Sequence, residues 1–361
     1  MIVLTLSSRR RTDGQKDGAV MRVTIKDIAR IAGVSHPTVS RALNGEEGVG
    51  EETRARILEI ARQLDYVPNL AAKRLARHKT NTIGLVWPQK KSLFYYHLNC
   101  QIQLDAQKAG YNVVMSMAEP AEALRVLNQQ LVDMAIFWLP EEWILDADFL
   151  REKETFRGPV FILGGGRTDR CHIIDIDRQK GVRNAVLFLA ERGHRNIGFV
   201  GSGDDKHIGF MQGILEAGLD YRPRNQIVDN FREYLLEEEW NHFVPRFEEM
   251  FSQKEPPTAV LAATQASVFY MIRYARYRGL DIPRDVSVAA YDDVPEILMV
   301  DLPLTTVGPS IPRISQTVLD LIQKMDDPQE SQQWADISIM PEIVLRDTTP
   351  FIGVEGCLAG D

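Results

Sequence analysis

The chain has 361 residues, 44% hydrophobic and 25% charged, as expected of a globular protein with two or three domains of about 100–200 residues each. The longest apolar runs fall short of the roughly 20 residues of a membrane span, and three widely spaced cysteines (Cys100, Cys171 and Cys357) form neither a metal-ligand cluster nor a disulfide framework, which favours a reducing cytoplasm. Residues 1–80 hold 15 Lys and Arg against 9 Asp and Glu, a net charge of +6, whereas the other residues carry a net charge of −14. This asymmetry indicates that the protein contacts phosphate through its N-terminal end only.

Residues 1–21 are polar and irregular, and we expect them to be a disordered N-terminal extension. Their opening apolar stretch, MIVLTL, is too short for the core of a signal peptide. The basic run Arg9-Arg10-Arg11 leaves open the alternative of an arm that touches nucleic acid.

Residues 24–44 have the pattern of a helix, a tight turn and a second helix. Thr24 and Asp27 have the spacing of a capping box at the start of the first helix. The apolar face of that helix is predicted at Ile28, Ile31 and Ala32. Gly33 ends the helix, and the Ser35 hydroxyl can accept an unpaired backbone N–H at the start of the second.

The second helix separates an inward face from an outward face. Val39 and Leu43 are four residues apart and are predicted to face inward. The outward side chains are His36, Pro37, Ser40 and Arg41. Asn44 and Gly45, which tolerate a left-handed backbone, end the helix. This arrangement is a helix-turn-helix, whose second helix fits the major groove of B-DNA; the alternative is an ordinary helical hairpin with a solvated face.

An acidic, glycine-rich loop leads to a third helix, predicted from about Glu51 to Leu64. Its apolar positions close a small core and are Ile57, Ile60, Ala61 and Leu64. Arg54 and Arg56 lie off that stripe, where each either contacts phosphate or is solvated. Residues 69–80 are basic, rich in alanine and too few to form a stable helix alone.

Residues 22–68 contain the short motifs TIKDIA, AGVS, TVSRALN, ETR and YVPN in this order. With these motifs the segment resembles the DNA-binding headpiece of the LacI–GalR family of bacterial repressors. The resemblance implies that residues 69–80 are a hinge helix that orders when a dimer sits on its operator; the alternative is a solvated linker. Leu75, flanked by Lys73, Arg74 and Arg77, would be wedged into the minor groove. The contacts that a bent duplex allows offset the cost of unstacking two base pairs there. Since the family's headpieces usually begin near the chain start, Met21 is a candidate initiator.

The same resemblance assigns roles to the outward face of the second helix. His36, Pro37 and Arg41 would face base edges, and Arg41 is best suited to a guanine. Pro37 has no N–H and offers only apolar contact, for instance to a thymine methyl. The remaining DNA-binding residues, which cap helices or hold phosphates and neighbouring turns, are Thr24, Ser35, Thr38, Ser40 and Asn44.

From Thr82 onward, short apolar runs alternate with helical segments. The runs are TIGLVW, YNVVMS, MAIFW, PVFIL, HIIDI, NIGFV, AVLAA and VSVAAY. The helical segments lie near 97–109, 120–131, 178–192, 205–217 and 265–278. This alternation indicates parallel sheets covered by helices on both faces, and roughly 270 residues is long for one such unit, so two lobes are expected.

Residues 81–361 resemble the periplasmic-binding-protein-like effector domain of the same family through GHRNIGFVGS, GFMQGILEAG, RGLDIPRDVSVAAYDD and LPLTTV. The expected fold class is an all-α helix-turn-helix headpiece joined by a hinge helix to an α/β two-lobed domain with parallel sheets. The resemblance implies a homodimer on a near-palindromic site, and a ligand in the cleft at the carboxyl ends of the strands. It also implies three crossings between the lobes, near 163–165, 290–294 and 305–309.

The ligand-binding candidates follow the family's pattern position by position. Phe94 and Tyr95, in the loop after the first strand, and Trp138, at the end of another strand, would cover the flat face of a sugar or a base. The alternative is that these aromatic residues belong to the core. Asp292 matches a ligand-binding aspartate, whose carboxylate accepts hydrogen bonds, and Asp177 matches a commonly polar position.

Two departures from the family's pattern bear on the ligand. Lys206 stands where the family usually has an arginine that binds the ligand through two hydrogen bonds from its planar guanidinium. Lysine offers only a point charge. Thr264 and Gln265 replace a usual Asn-Asp pair, which removes a carboxylate that commonly binds sugar hydroxyls. An acidic sugar is therefore one hypothesis. Gly164-Gly165-Gly166 lacks the spacing of a nucleotide-binding loop and is expected to be a flexible crossing.

The sequence shows no arrangement of residues typical of catalysis. The seven histidines are scattered, and neither G-x-S-x-G nor H-E-x-x-H occurs. Asp292 and Asp293 are adjacent at a strand end, where neighbouring side chains point apart and cannot share a proton. We therefore predict that the protein is not an enzyme and uses no cofactor. The predicted function is a sequence-specific DNA-binding repressor controlled by a sugar-like effector. The alternatives are a family member controlled by a phosphorylated protein co-effector and a solute-binding protein, which would carry a secretion signal instead of a headpiece.

Overall fold

The computed structural model describes residues 23–66, 80–87, 92–139, 146–203, 205–231, 237–300, 302–325 and 333–352, except the side chains of 298–300. The predictions for residues 1–21 and for the hinge residues Lys73 and Leu75 lie outside the described residues. The chain divides into two compact units, Met1–Thr80 and Asn81–Asp361.

The first unit contains three short helices around a small core. They are α1 (Ile25–Ala32), α2 (His36–Asn44) and α3 (Glu51–Gln63). The buried residues of this core are Ile28, Ala29, Ala32, Val39, Ala42, Ile57 and Ala61. The prediction that Ile31 faces inward is wrong. The buried positions of α1, Ile28, Ala29 and Ala32, lie three, four and seven residues after Ile25. Ile31 falls outside this stripe and is 55% exposed.

The helix ends of the first unit carry the predicted caps. The N–H and the hydroxyl of Thr24 donate to Asp27 Oδ2 at 3.0 and 2.7 Å, and these bonds lower the pKa of Asp27. Ser35 Oγ accepts a backbone N–H of the first turn of α2 at 3.3 Å. Gly33 and Gly45 follow α1 and α2 with φ angles of 62° and 73°, which glycine adopts without strain.

The second unit is built on two six-stranded sheets. The strands are β1 (Thr82–Val86), β2 (Asn112–Ser116), β3 (Met134–Trp138), β4 (Val160–Leu163), β5 (His172–Ile176), β6 (Ile197–Gly201), β7 (Gln226–Val228), β8 (Ala259–Ala262), β9 (Ser287–Tyr291), β10 (Thr305–Gly308), β11 (Asp336–Ile339) and β12 (Glu342–Val344). The first sheet, β11-β5-β4-β3-β1-β2, is parallel throughout. The second, β12-β10-β9-β8-β6-β7, is parallel except for β12, which pairs antiparallel with β10. The expected pair of largely parallel sheets is confirmed.

Helices connect the strands and cover both sheets. They are α4 (Leu93–Lys108), α5 (Pro120–Gln129), α6 (Ala147–Thr155), α7 (Arg178–Glu191), α8 (Asp205–Glu216), α9 (Glu237–Phe251), α10 (Gln265–Arg278) and α11 (Ile311–Lys324), with short 3-10 helices at Pro223–Asn225 and Pro295–Val300. Strands β1, β3, β4, β8 and β9 are buried along their whole length, because helices exclude water from both faces of these central strands.

The chain passes between the two sheets at three places, and two of the predicted crossings are wrong. Strand β5 of the first sheet connects to β6 of the second through α7, β10 connects to β11 through α11, and β11 connects to β12 through residues 340–341. Residues 163–165 instead lead from β4 to β5 within the first sheet, and 290–294 lead from β9 towards β10 within the second. Residues 305–309 contain β10 itself, just before the second crossing.

Candidate functional site

The outward face of α2 presents three exposed side chains, His36, Pro37 and Arg41. Within residues 23–66, Arg41 has no ion pair and no side-chain hydrogen bond, and its Nη1 lies 3.8 Å from the position that a Cβ would take at Gly48. Its guanidinium can therefore donate to an external acceptor without first breaking an internal bond.

The smaller polar side chains of α2 bond mainly to one another. Ser35 Oγ and Thr38 Oγ1 are 2.7 Å apart, and Asn44 Nδ2 donates to Ser40 Oγ at 3.5 Å. These bonds fix the first and last turns of the helix and hold its outward face in one orientation.

Two arginines of α3 donate hydrogen bonds to backbone carbonyls of other elements of the first unit. Arg54 Nη2 donates to the Glu46 carbonyl at 2.6 Å, which fastens the loop after α2. Arg56 Nη2 donates to the Ala32 carbonyl at 3.0 Å, which satisfies an acceptor at the end of α1. A contact of either arginine with phosphate stays a prediction.

The positive charge of the first unit lies mainly outside its three helices. Residues 23–66 hold six Lys and Arg against seven Asp and Glu, so the net charge of +6 over residues 1–80 comes from the flanking segments. A nonspecific attraction for phosphate therefore belongs chiefly to the flanks.

A cluster of four aromatic side chains lies beside the carboxyl ends of neighbouring strands of the first sheet. Trp87 follows β1, Trp138 ends β3, and Phe94 and Tyr95 begin α4. The ring centroids of Tyr95 and Trp138 are 5.2 Å apart, and those of Trp87 and Trp138 are 5.8 Å apart. Phe94 is buried in the core, whereas Tyr95 is half-buried. Sequence reasoning missed Trp87, although its place directly after a buried strand was a usable signal.

A second cluster, of charged groups, follows strands of both sheets: Lys206 follows β6, Asp292 follows β9, and Arg178 follows β5 of the first sheet. Burial raises the pKa of Asp292, and the positive charges of Lys206 and Arg178 partly oppose that shift. Lys206 Nζ donates to the Ala263 carbonyl at 3.0 Å and lies 4.2 Å from the ring centroid of Tyr291. Arg178 was not singled out from the sequence, since nothing local distinguishes it from a surface arginine.

The backbone at Asp292 makes a turn that packs closely against Val307 and Gly308. Asp292 has a φ of 70°, an uncommon left-handed conformation for a residue with a side chain. Its N–H donates to the Val307 carbonyl at 2.9 Å, and a Cβ at Gly308 would come within 2.9 Å of its Cα. The glycine at 308 therefore leaves room for this turn.

Gln265 reaches from α10 to the first residue of α4. Its Oε1 accepts the backbone N–H of Leu93 at 3.1 Å. Its Nε2 is buried and has no hydrogen-bond partner within the described part of the chain. Gln265 thus joins elements that follow strands of different sheets, which the local sequence did not reveal.

Asp177 has a structural task that the sequence analysis did not assign to it. Its Oδ1 accepts the N–H of Lys180 at 3.0 Å and so caps α7. It also lines a cavity of about 340 Å³ that is open to solvent, together with Gln179, Lys180, Arg183 and Gln212. A ligand-binding role for Asp177 stays a prediction.

Two kinds of feature are absent from the described residues. None of their helices combines the length and apolar character that a membrane crossing requires. Likewise, they contain no grouping of three or more His, Cys, Asp or Glu side chains suited to a metal ion.

Two family models match the chain. The model described as bacterial regulatory proteins, lacI family, matches residues 24–69, and the model described as periplasmic binding protein-like domain matches residues 186–349. Catabolite control protein A of Priestia megaterium is 30% identical over 319 residues, which cover 84% of this chain and 92% of that protein. The HTH-type transcriptional repressor PurR of Vibrio cholerae serotype O1 (strain M66-2) is 27% identical over 337 residues, 90% of this chain and 97% of that protein.

Solved structures share the fold over most of the chain. The lac repressor dimer bound to operator and the anti-inducer ONPF gives a TM-score of 0.75 at 23% identity, covering 91% of this chain and 99% of that one. The complex of the transcriptional regulator CelR with cellobiose gives a TM-score of 0.59 at 22% identity, covering 91% of this chain and 100% of that one.

Proposed function

This chain belongs to the lacI family of bacterial regulatory proteins, and on that premise we propose that α2 reads operator bases while a small metabolite between the two sheets controls that reading. The protein is a DNA-binding transcriptional regulator, as its repressor relatives are. The observation that carries the assignment to α2 is the exposed guanidinium of Arg41, on a helix whose ends are both capped.

In the proposed complex, Arg41 donates to a guanine, and Pro37 contacts an apolar base edge such as a thymine methyl. His36 lies on the same exposed face and completes the base-reading set. Ser35 and Asn44, which are bonded to neighbouring turns, position the helix and contact phosphate.

We extend the proposal to the hinge and to the oligomer. A homodimer places two copies of α2 in successive major grooves of a near-palindromic operator. Lys73 and Leu75 act in the hinge, where Leu75 is the minor-groove wedge and Lys73 contacts the backbone. Support comes from the lac repressor, a protein of the same fold that is a dimer on its operator.

The effector site that we propose is the cleft bounded by the aromatic cluster and the charged cluster. Its residues are Trp87, Phe94, Tyr95, Trp138, Arg178, Lys206, Gln265 and Asp292. Proteins of the same fold hold cellobiose and ribose, which supports a sugar-like effector. A ligand that contacts both sheets binds more tightly to one relative position of the sheets than to another. This difference in ligand affinity between the two positions is what couples the cleft to DNA binding.

The proposed reading of DNA is tested by selecting random duplexes with the full-length chain and sequencing the bound pool. We expect one near-palindromic site with half-site centres about 10–10.5 base pairs apart, because a dimer presents two copies of α2. A pool without any enriched sequence would remove the proposal. Addition of metabolites to the selected duplex then identifies those that change its affinity.

A further inference from the structure

Asp293 is the member of the Asp292-Asp293 pair to which the proposed function gives no role. Its Oδ1 accepts a hydrogen bond from Arg346 Nη2 at 2.8 Å and another from Thr306 Oγ1 at 3.0 Å. Arg346 lies two residues after β12, and its side chain is only 18% exposed. The carboxylate of Asp293 is therefore occupied by partners within the protein, which differ from the cations around Asp292.

The guanidinium of Arg346 is itself fixed at the start of β10. Its Nη1 donates to the Leu304 carbonyl at 2.8 Å and to Thr306 Oγ1 at 3.2 Å. The backbone N–H of Arg346 also donates to Thr305 Oγ1 at 3.0 Å. A planar guanidinium with acceptors on both of its terminal nitrogens has one orientation, so it defines the place of the Asp293 carboxylate that it holds.

Buried threonines anchor the segment that carries Arg346. Thr305, Thr348 and Thr349 are each only 1% exposed. Thr348 Oγ1 accepts the N–H of Thr305 at 2.8 Å and donates to the Val288 carbonyl at 2.7 Å. The hydroxyl oxygens of Thr349 and Thr305 are 2.7 Å apart. These bonds join the segment to β9 and β10, the two strands that flank the aspartate pair.

The turn that places Asp292 is strained and depends on outside support. A φ of 70° brings the Cβ of Asp292 close to backbone atoms, which is unfavourable for residues other than glycine. A return to an ordinary negative φ would rotate the following residue, Asp293, and break the two hydrogen bonds of its carboxylate. The two bonds of Asp293 therefore oppose relaxation of the turn.

We propose that Arg346 is a positioning residue of the effector site: through Asp293 it holds the left-handed turn that directs the carboxylate of Asp292 into the cleft. This inference rests on the proposed function of the cleft. The two neighbouring acids have separate tasks. Asp293 anchors the turn, and Asp292 presents oxygen acceptors to a ligand. The segment after β12, which is far from the cleft residues in sequence, thereby sets the geometry of the site.

Crystal structures of the full-length protein and its variants, without any ligand, test this inference. Arg346→Met removes the bond to Asp293, so we expect residue 292 to leave the left-handed region and its carboxylate to leave the charged cluster. Asp293→Ala leaves Arg346 bonded to β10 and should displace Asp292 in the same way. Arg346→Lys should keep Asp292 in place, because an ammonium can still donate to one carboxylate oxygen. The control is Arg313→Met, at an exposed arginine of α11 paired with Glu342, which should leave the turn unchanged.

Hydrogen exchange of the same proteins, followed by mass spectrometry, tests the inference in solution. The N–H of Asp292, which is hydrogen-bonded to β10, should exchange at least tenfold faster in Arg346→Met and in Asp293→Ala. It should exchange at the wild-type rate in Arg346→Lys. The N–H of Asp229, which donates to the Gly201 carbonyl at 2.9 Å beside the same sheet, is the internal reference and should exchange at an unchanged rate.

Two results overturn the inference. One is an Asp292 that keeps its left-handed φ and its place in both Arg346→Met and Asp293→Ala. The other is equal acceleration of exchange at Asp292 and Asp229, which would mean that the variants only destabilise the second unit. Neither result depends on a ligand, so the response of operator affinity to metabolites tests the proposed function separately.

Discussion

Gln265 accepts the backbone N–H of Leu93 across 172 residues of sequence, from the first turn of α10 to the first turn of α4. The amide of Leu93 is one of the donors that have no partner inside α4, since the first turn of a helix leaves its N–H groups unpaired. Gln265 therefore satisfies α4 from a helix that follows a strand of the other sheet. This bond is a direct link between the two sides of the proposed effector cleft.

Replacement of Gln265 should weaken the second unit measurably. Gln265→Ala removes the acceptor for Leu93 and should lower the free energy of unfolding by about 0.5–1.5 kcal/mol. Urea denaturation of the full chain measures this change. The control is Gln316→Ala, because the Gln316 amide bonds only to exposed Asp320 on its own helix and should cost little. Equal midpoints for both variants would show that the bond contributes nothing.

Loss of Arg41 should remove selectivity but keep nonspecific binding. Arg41→Ala deletes the proposed guanine contact, about 1–3 kcal/mol of discrimination, whereas the basic flanking segments still attract phosphate. Fluorescence anisotropy against the selected operator and a scrambled duplex, at several salt concentrations, measures both. Arg62→Ala, which removes an exposed arginine paired with Glu59, is the control and should preserve the ratio. Retained selectivity in Arg41→Ala would refute the assignment.

Elements with a strong local pattern could be predicted from the sequence. Strands such as β3 and β8 are short, continuous apolar runs, and the caps at Thr24 and Ser35 depend on neighbours three residues away. By contrast, α9 was missed because its acidic start and the internal Pro245 obscure a helical pattern, although Trp240, Phe243 and Phe247 are buried at helical spacing.

The cleft was only partly predictable, since its geometry depends on contacts that are distant in sequence. Trp138 and Lys206 were found by position, but the bond from Gln265 to Leu93 and the placement of Arg178 beside Asp292 follow from the order of strands in two sheets. The wrong crossings have the same cause, because the residues at the end of a strand do not reveal which sheet the next strand joins.

Gly209 should tolerate no side chain. A Cβ at Gly209 of α8 would lie 2.1 Å from the Gln179 carbonyl oxygen of α7, so Gly209→Ala must push the two helices apart. Overpacking of this kind costs about 1–3 kcal/mol, which urea denaturation detects. Leu215→Ala on the same helix is the control, because Leu215 is 74% exposed and should change stability by about 0.5 kcal/mol or less. An unchanged midpoint for Gly209→Ala would contradict the close packing of α7 on α8.

His194 should make stability depend on pH. Burial lowers the pKa of His194 to about 4, and its Nδ1 lies 2.9 Å from Thr258 Oγ1. Since the unfolded chain binds the proton more readily, His194 favours the folded state fully above about pH 6.5, and this contribution is lost as the pH falls towards 4. The free energy of unfolding should fall by about 2–3 kcal/mol over that range because of this residue. His194→Gln should flatten the profile, and parallel profiles for the two proteins would count against the neutral buried imidazole.

The most direct measurement of the central claim is the operator dissociation constant of the full-length protein, by fluorescence anisotropy, with and without a metabolite that calorimetry shows to bind the cleft. Coupling between two sites is typically worth 5- to 150-fold in affinity, so we predict a change of at least about fivefold, which is absent from Trp138→Ala. A metabolite that saturates the cleft and leaves the operator dissociation constant unchanged would contradict the account.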